Sequence, residues 1–311
     1  MKFDYIKCHG SGNEFIMFDA VAQNMDGINL SQLSVELCNR TSGIGADGIL
    51  LLVRNAEGVY GMRMLNPDGS EAEMCGNGIR CVARLAESYT QSGEFDLTSG
   101  GKIYPTARYA PIFGDIPTYG VEIGVSLWSP DFSFFTQEHG SFTAGVIEQL
   151  HPTLRWTAIS VGNPHIIAVV EKSDITLLEQ LGERVKSLKG IFPNGVNISL
   201  VKQRGANHIF VTTFERGAGI TPSCGTAMTS SATTAALLEL CDYNTEILVE
   251  NRGGAVRCKC SRDGGLKTTL IGNATFTERG KVSVSGKGFA FERREIISDE
   301  IEAWNSFLKN R

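Results

Sequence analysis

The chain has no strongly basic stretch. Its 29 Lys and Arg stand against 34 Asp and Glu, for a formal net charge of −5, which argues against a nucleic-acid surface, where clustered cations must neutralise phosphates. Long apolar runs are also missing: the longest aliphatic stretch, residues 49–53, is far below the roughly 20 residues of a membrane-spanning helix. The first ten residues, MKFDYIKCHG, carry an acid at position 4 and no apolar signal-peptide core, so a cytoplasmic location and no membrane partner are expected. Zinc-type cysteine spacing is lacking too. Cys75 and Cys81 are separated by five residues and Cys258 and Cys260 by one, outside the two-to-four-residue gaps of zinc pairs, so no metal is expected. Eight cysteines (8, 38, 75, 81, 224, 241, 258 and 260) in 311 residues make no disulfide-rich scaffold, and thiols in a reducing compartment are expected. Residues 43–48 are glycine-rich but lack the Lys-Ser/Thr ending of a phosphate loop, so nucleotide binding is not expected.

What the sequence does contain suits a globular protein of about two domains of roughly 150 residues each, at 42% hydrophobic and 20% charged residues. Strand-like alternation marks residues 61–65, 119–125, 209–214 and 266–271. A short amphipathic helix is predicted over 32–38 with Leu33 and Leu37 on one face and Ser31 as its cap. After Cys75, residues Ile79, Val82, Ala83 and Ala86 fall at i, i+3, i+4 and i+7, the spacing of one buried helical face. Residues 225–240 read as a second helix of small residues (Ala227, Ser230, Ser231, Ala232, Ala235, Ala236), fit to sit deep inside strands. The expected fold class is α+β, with two pseudo-symmetric halves, each a sheet or barrel wrapped around a central helix, and the site in a cleft between them. The halves are expected at 1–145 and 146–295, with the boundary near 139–152. Residues 296–311 form a tail helix capped by Ser298, whose stripe of Ile301, Trp304, Phe307 and Leu308 suits docking on the body or on a second subunit as a homodimer.

A duplication underlies the two halves. NPDGSEAEMCGNGIRC (66–81) and ERGAGITPSCGTAMTS (215–230) share a glycine-containing turn followed by Cys-Gly, with Cys75 and Cys224 149 positions apart. Asn13 precedes Asn163 by 150, and Asp47 precedes Asn197 by 150. Two copies, each presenting a cysteine at a helix start, suit a small-molecule partner whose carbon is inverted: one sulfur takes a hydrogen and the other gives one back. No pyridoxal-lysine motif offers to spread the carbanion's charge, so no cofactor is expected and the protein must stabilise that charge. Helix N-termini at Gly76-Asn77 and Gly225-Thr226 supply unpaired N–H groups for a carboxylate, and they favour thiolate over thiol.

With these motifs in order, the chain resembles the diaminopimelate epimerase family of cofactor-independent amino-acid epimerases. The resemblance is carried by residues 7–15 (KCHGSGNEF), 40–48 (RTSGIGADG), the two cysteine motifs, 162–165 (GNPH) and 192–197 (FPNGVN). It implies that Cys75 and Cys224 are the acid/base pair, and that Asn13, Asn66, Gly76, Asn77, Asn163, Asn197, Glu215, Arg216, Gly225 and Thr226 contact the substrate. It further implies interconversion of LL- and meso-diaminopimelate on the route to lysine and cell-wall peptide. A racemase of another amino acid, such as histidine, and a non-catalytic amino-acid-binding relative are the alternatives. The chain departs from the family pattern at Glu14 (usually Asp), Ile220 (commonly Glu), Arg252 (frequently Pro) and Asn273 (usually Pro). His9, His165 and the other six cysteines read as structural.

Overall fold

Two successive sets of strands and helices repeat one pairing pattern in this computed structural model, which describes residues 1–129, 131–132, 140–285 and 288–310. In the first set, strand Lys2–Gly10 runs antiparallel to Asn13–Asp19, and helix α1 (Leu30–Cys38) carries the chain across to Ile49–Arg54, parallel to Asn13–Asp19. Tyr60–Leu65 and Glu71–Ala72 follow antiparallel. Helix α2 (Gly76–Thr90) then crosses to Glu94–Ser99, which meets Tyr60–Leu65 in parallel.

The second set does the same. Arg155–Ser160 is antiparallel to Pro164–Val169, and α3 (Ile175–Ser187) crosses to the parallel strand Asn197–Gly205. His208–Glu215 and Gly219–Thr221 follow antiparallel, and α4 (Gly225–Leu237) crosses to Glu246–Asn251, parallel to His208–Glu215. Both sets use helices for the parallel steps, because a parallel neighbour cannot be reached through a tight turn. The architecture is α+β, as expected.

The chain forms two compact units, residues 1–121 with 271–311, and residues 122–270. The expected division at 145/146 differs from this at both ends, and residue 139, at the start of the expected boundary region, lies outside the described residues. Residues 122–145 belong with the second unit because Val125 bonds Leu266, Ser126 bridges Ser160 and Phe132 enters that unit's core. Residues 271–311 belong with the first because strand Thr275–Ser285 pairs along Lys2–Gly10, and helix α5 (Ser298–Lys309) packs on Thr275–Ser285. The chain therefore passes between units inside strands Thr118–Gly124 and Lys267–Asn273.

Each unit has its own core. Phe3, Ile16, Phe18, Leu33, Leu37, Ile49, Leu51 and Val282 cluster in the first; Trp156, Ile166, Leu178, Leu181, Phe192, Ile198 and Leu200 in the second. Side chains of this size contribute about 1.5–3 kcal/mol each on full burial. Helix α2 buries Ile79, Val82, Ala83 and Ala86 as its periodicity predicts, and packs against the strands of the first set. Helix α4 is buried along its length except at Thr226 and Leu237. Small side chains let strands approach it closely, and Thr229 and Thr233 return their hydroxyl protons to the carbonyls of Gly225 and Thr229.

Two caps differ from expectation. Helix α1 starts two residues before the expected start, at Leu30, so Asn29 rather than Ser31 accepts from the Gln32 N–H. Ser298 is already inside α5, with Ile297 at the cap position and Asp299 and Glu300 complementing the helix dipole. Helix α4 ends at Leu237, short of the expected 240. Among the described residues, no helix is long and apolar enough to cross a membrane.

Candidate active site

In the first unit, Cys75 sits in extended conformation at the N-cap of α2, and its Sγ accepts the Gly78 N–H at 3.4 Å. A sulfur here stands in for the oxygen of a Ser or Asp cap. Asn13, at the start of strand Asn13–Asp19, faces it. The Asn13 Nδ2 donates to Asp47 Oδ2 at 2.9 Å, and because a carboxylate only accepts, this fixes the amide with Oδ1 turned the other way. That oxygen lies 3.9 Å from Cys75 Sγ and accepts from Asn77 Nδ2 at 3.3 Å.

Asp47 is held in turn. It accepts the Glu14 N–H at 2.9 Å, and Arg40 spans Asp47 and Glu14 at 2.7 Å to each. Arg80, wholly buried on α2, donates to Gly76 O, Ser11 Oγ and Asn77 Oδ1 and so ties the helix start to the turn before Asn13. Gly10 permits this approach: a Cβ there would stand 2.7 Å from the Asn77 carbonyl oxygen. Asn66 is placed differently. Its amide donates to Ser70 Oγ within the 66–69 turn, whose Gly69 has φ +85°.

In the second unit, Cys224 caps α4 with the same extended backbone, but its side chain makes no cap hydrogen bond. Instead its Sγ lies 3.4 Å from Thr226 Oγ1, which accepts from Asn163 Nδ2 at 3.4 Å. Asn163 and Asn197 both meet His165: its Nε2 lies 3.0 Å from Asn163 Oδ1 and 3.5 Å from Asn197 Nδ2. The Thr226 hydroxyl thus bridges Asn163 and the Cys224 sulfur. Asn13 meets its cysteine directly through an amide oxygen, whereas Asn163 meets its own through the Thr226 hydroxyl. Asn197 accepts the Arg216 N–H at 2.8 Å and donates to Pro164 O, joining the ends of three strands. Glu215 accepts from Thr221, while Arg216 Nη1 donates to Asn194 O at 2.9 Å beside Gly195.

Burial sets the acid–base character of the site. It pushes the Cys75 thiol above the ordinary 9.0, against the lowering pull of the Gly78 and Asn77 backbone N–H groups. Cys224 is raised further by burial and then by the Glu215 charge. The expected net preference for thiolate is therefore reversed: the helix-end contribution is present but smaller than the desolvation of a buried anion. Burial also lowers His9 to about 4 and His165 to about 3, leaving both rings neutral at ordinary pH.

Asn13, Asn77 and Cys75 are thus brought together in one unit, and Asn163, Asn197, Glu215, Arg216, Thr226 and Cys224 in the other. Gly76 and Gly225 open the two helices. Three residues outside the sequence-derived site organise it: Asp47, Arg80 and His165. Asp47 carried a signal in its 150-residue offset from Asn197. Arg80 lies beside the apolar stripe of α2, not within it, and periodicity gave no sign of its burial.

Residues 5–106 and 157–277 match the family model described as diaminopimelate epimerase. A diaminopimelate epimerase of Clostridium acetobutylicum is 35% identical, covering 99% of this chain and 95% of its own length. One of Enterococcus faecalis is 36% identical, covering 97% of each. Among solved structures, a phenazine biosynthesis protein of the PhzF family from Bacillus anthracis superposes with TM-score 0.66 at 15% identity, over 91% of this chain and all of that one. A hydroxyproline epimerase from Agrobacterium vitis with bound trans-4-hydroxy-L-proline gives 0.61, also at 15% identity, over 92% and 94%. These two likenesses concern the fold.

Proposed function

Because the chain belongs to the diaminopimelate epimerase family and is an isomerase, we propose that it interconverts LL- and meso-diaminopimelate by two-base proton transfer between Cys75 and Cys224. The observation that carries this reading is the pair of cysteines, Cys224 buried and Cys75 partly so, each at the N-cap of a helix and each within reach of an asparagine or hydroxyl. The thiolate of one cysteine removes the substrate's α-proton and becomes a thiol. The carbanion's electron pair spreads into the α-carboxylate, and the other thiol returns a proton to the opposite face and becomes a thiolate. Proton count and charge are unchanged over a turnover, so the pair alternates roles between directions.

Elevated thiol pKa values suit this chemistry. An α-hydrogen is very weakly acidic, and a base that holds its proton tightly removes it more effectively once ionised. The unpaired N–H groups opening α2 and α4 stabilise charge building on the carboxylate. Glu215 and Arg216 supply a partner for an ammonium and, through two parallel bonds, for a carboxylate. A substrate charged at both ends is favoured, since an unpaired buried charge costs several kcal/mol. In this reading the enzyme serves lysine and peptidoglycan precursor synthesis in the cytoplasm.

The test is incubation with LL- or meso-diaminopimelate in deuterated water. Deuterium is expected at the inverted α-carbon, and Cys75→Ala and Cys224→Ala are each expected to abolish epimerisation. Normal turnover by either variant would remove the two-base assignment. Exchange with histidine and none with diaminopimelate would remove the substrate assignment.

A further inference from the structure

We infer that helix α5 is a positioning element: through Trp304 and Glu300 it holds His9 and Arg84 so that Asn13 and Cys75 keep their mutual geometry. This rests on the proposed function in giving those two residues to the reaction.

The turn ahead of Asn13 is one that chain physics disfavours. Ser11 has φ +54° and Gly12 φ +77°, and the left-handed region costs a non-glycine residue about 1 kcal/mol or more. Side chains impose it. His9 Nδ1 accepts the Gly12 N–H at 3.3 Å and Asn273 Nδ2 at 3.1 Å, while Asn273 Oδ1 accepts the Ser11 N–H at 2.7 Å. With Nδ1 accepting, the ring must be neutral with its proton on Nε2, the form that its burial favours.

Trp304 completes the His9 environment. Its ring lies 5.0 Å from the imidazole at 59°, it is 6% exposed, and Phe307 backs it at 5.1 Å, itself 5.4 Å from Phe113. The other anchor of α5 is Glu300. Its two oxygens take both Nη atoms of Arg84 at 2.6 and 2.7 Å, and one of them also accepts the Phe276 N–H at 2.9 Å. Arg84 lies on α2, nine residues beyond the Cys75 cap, with its guanidinium 3.8 Å over the Phe276 ring. One helix thus grips the two elements whose meeting sets the Asn13–Cys75 contact.

Helix α5 lies outside the cluster around Phe18 and Leu37, and its own buried residues are Trp304 and Phe307.

The test compares full-length wild type with Trp304→Ala and Trp304→Phe by steady-state kinetics on diaminopimelate. A parallel set in a Cys224→Ser background follows iodoacetamide alkylation of the Cys75 peptide by mass spectrometry. Misplacement of a reacting group by about 1 Å costs up to about 100-fold in rate. Trp304→Ala is accordingly expected to lose about 10-fold or more in kcat with KM changed less than about threefold, and to alter the Cys75 alkylation rate several-fold. Trp304→Phe, which keeps a ring on His9, is expected to recover most of both. Glu300→Gln loosens the second anchor alone and moves both readouts the same way, which decides the matter should Trp304→Ala fail to fold. Equal losses in the Ala and Phe variants, or unchanged alkylation and kcat across all three, would overturn the inference. Were wild type itself inert toward diaminopimelate, the substrate reading would fall while alkylation still judged the brace.

Discussion

At the scale of the residue, both candidate acid/base cysteines sit where desolvation governs the proton, Cys224 buried and Cys75 partly so. Each has its proton affinity raised by desolvation more than a helix end lowers it. The sign for activity follows. A raised pKa keeps the protonated form dominant at neutral pH, the proposed reaction needs one thiolate, and the thiolate fraction grows with pH. For kcat/KM, which reports the free enzyme, the rising limb should still climb at pH 9.0, the ordinary cysteine value. It should turn down only where the second thiol, needed as acid, is also lost. A pH–rate profile checks this, and a plateau reached below neutrality would show that the helix termini outweigh burial. The cysteines themselves were legible in sequence, because Cys-Gly followed by a 3.6-residue apolar stripe marks a helix start. Their pKa direction was not, since burial depth is a property of the finished packing.

Among elements, α3 bears on the site through Phe214. A Cβ at Gly182 would lie 2.4 Å from the Phe214 ring, and Phe214 immediately precedes Glu215. Gly182→Ala gains about 1 kcal/mol of helix propensity but must displace a packed ring, which typically costs about 1–3 kcal/mol. The net expectation is a lower urea midpoint with a raised KM, since the strand end carrying Glu215 and Arg216 shifts with the ring. A stabilised variant with unaltered KM would refute it. Helices α2 and α4 were readable from periodicity and from small-residue content, respectively. The caps at Asn29 and Ile297 were misplaced because Ser31 and Ser298 are good capping types one or two positions inside the true starts. The Trp304–His9 contact left no trace in the sequence: 295 positions separate the two residues, and no period links them.

For the molecule as a whole, the division of the chain predicts unequal fragments. The second unit is a single stretch, 122–270, with a complete cluster around Trp156 and Leu178. The first needs both ends of the chain, because Lys2–Gly10 finds one of its two partners in Thr275–Ser285. A 122–270 fragment is expected to unfold cooperatively in urea and to show native-like circular dichroism, while 1–121 alone is expected to do neither. A cooperative transition in 1–121 would contradict this. The internal repeat was visible in the sequence through its 150-residue offsets. The return of the last strands to the first was not, because a strand's own alternation does not say which distant edge it will complete.

That return has a consequence for how the protein is born. On the ribosome, Cys75 and Asn13 emerge early, yet the strand and helix that frame them, after residue 271, come last. Nascent chains must wait with one reactive sulfur unhoused while the middle segment is free to fold. Translation halted before that late portion would leave a well-made second unit attached to an idle first one.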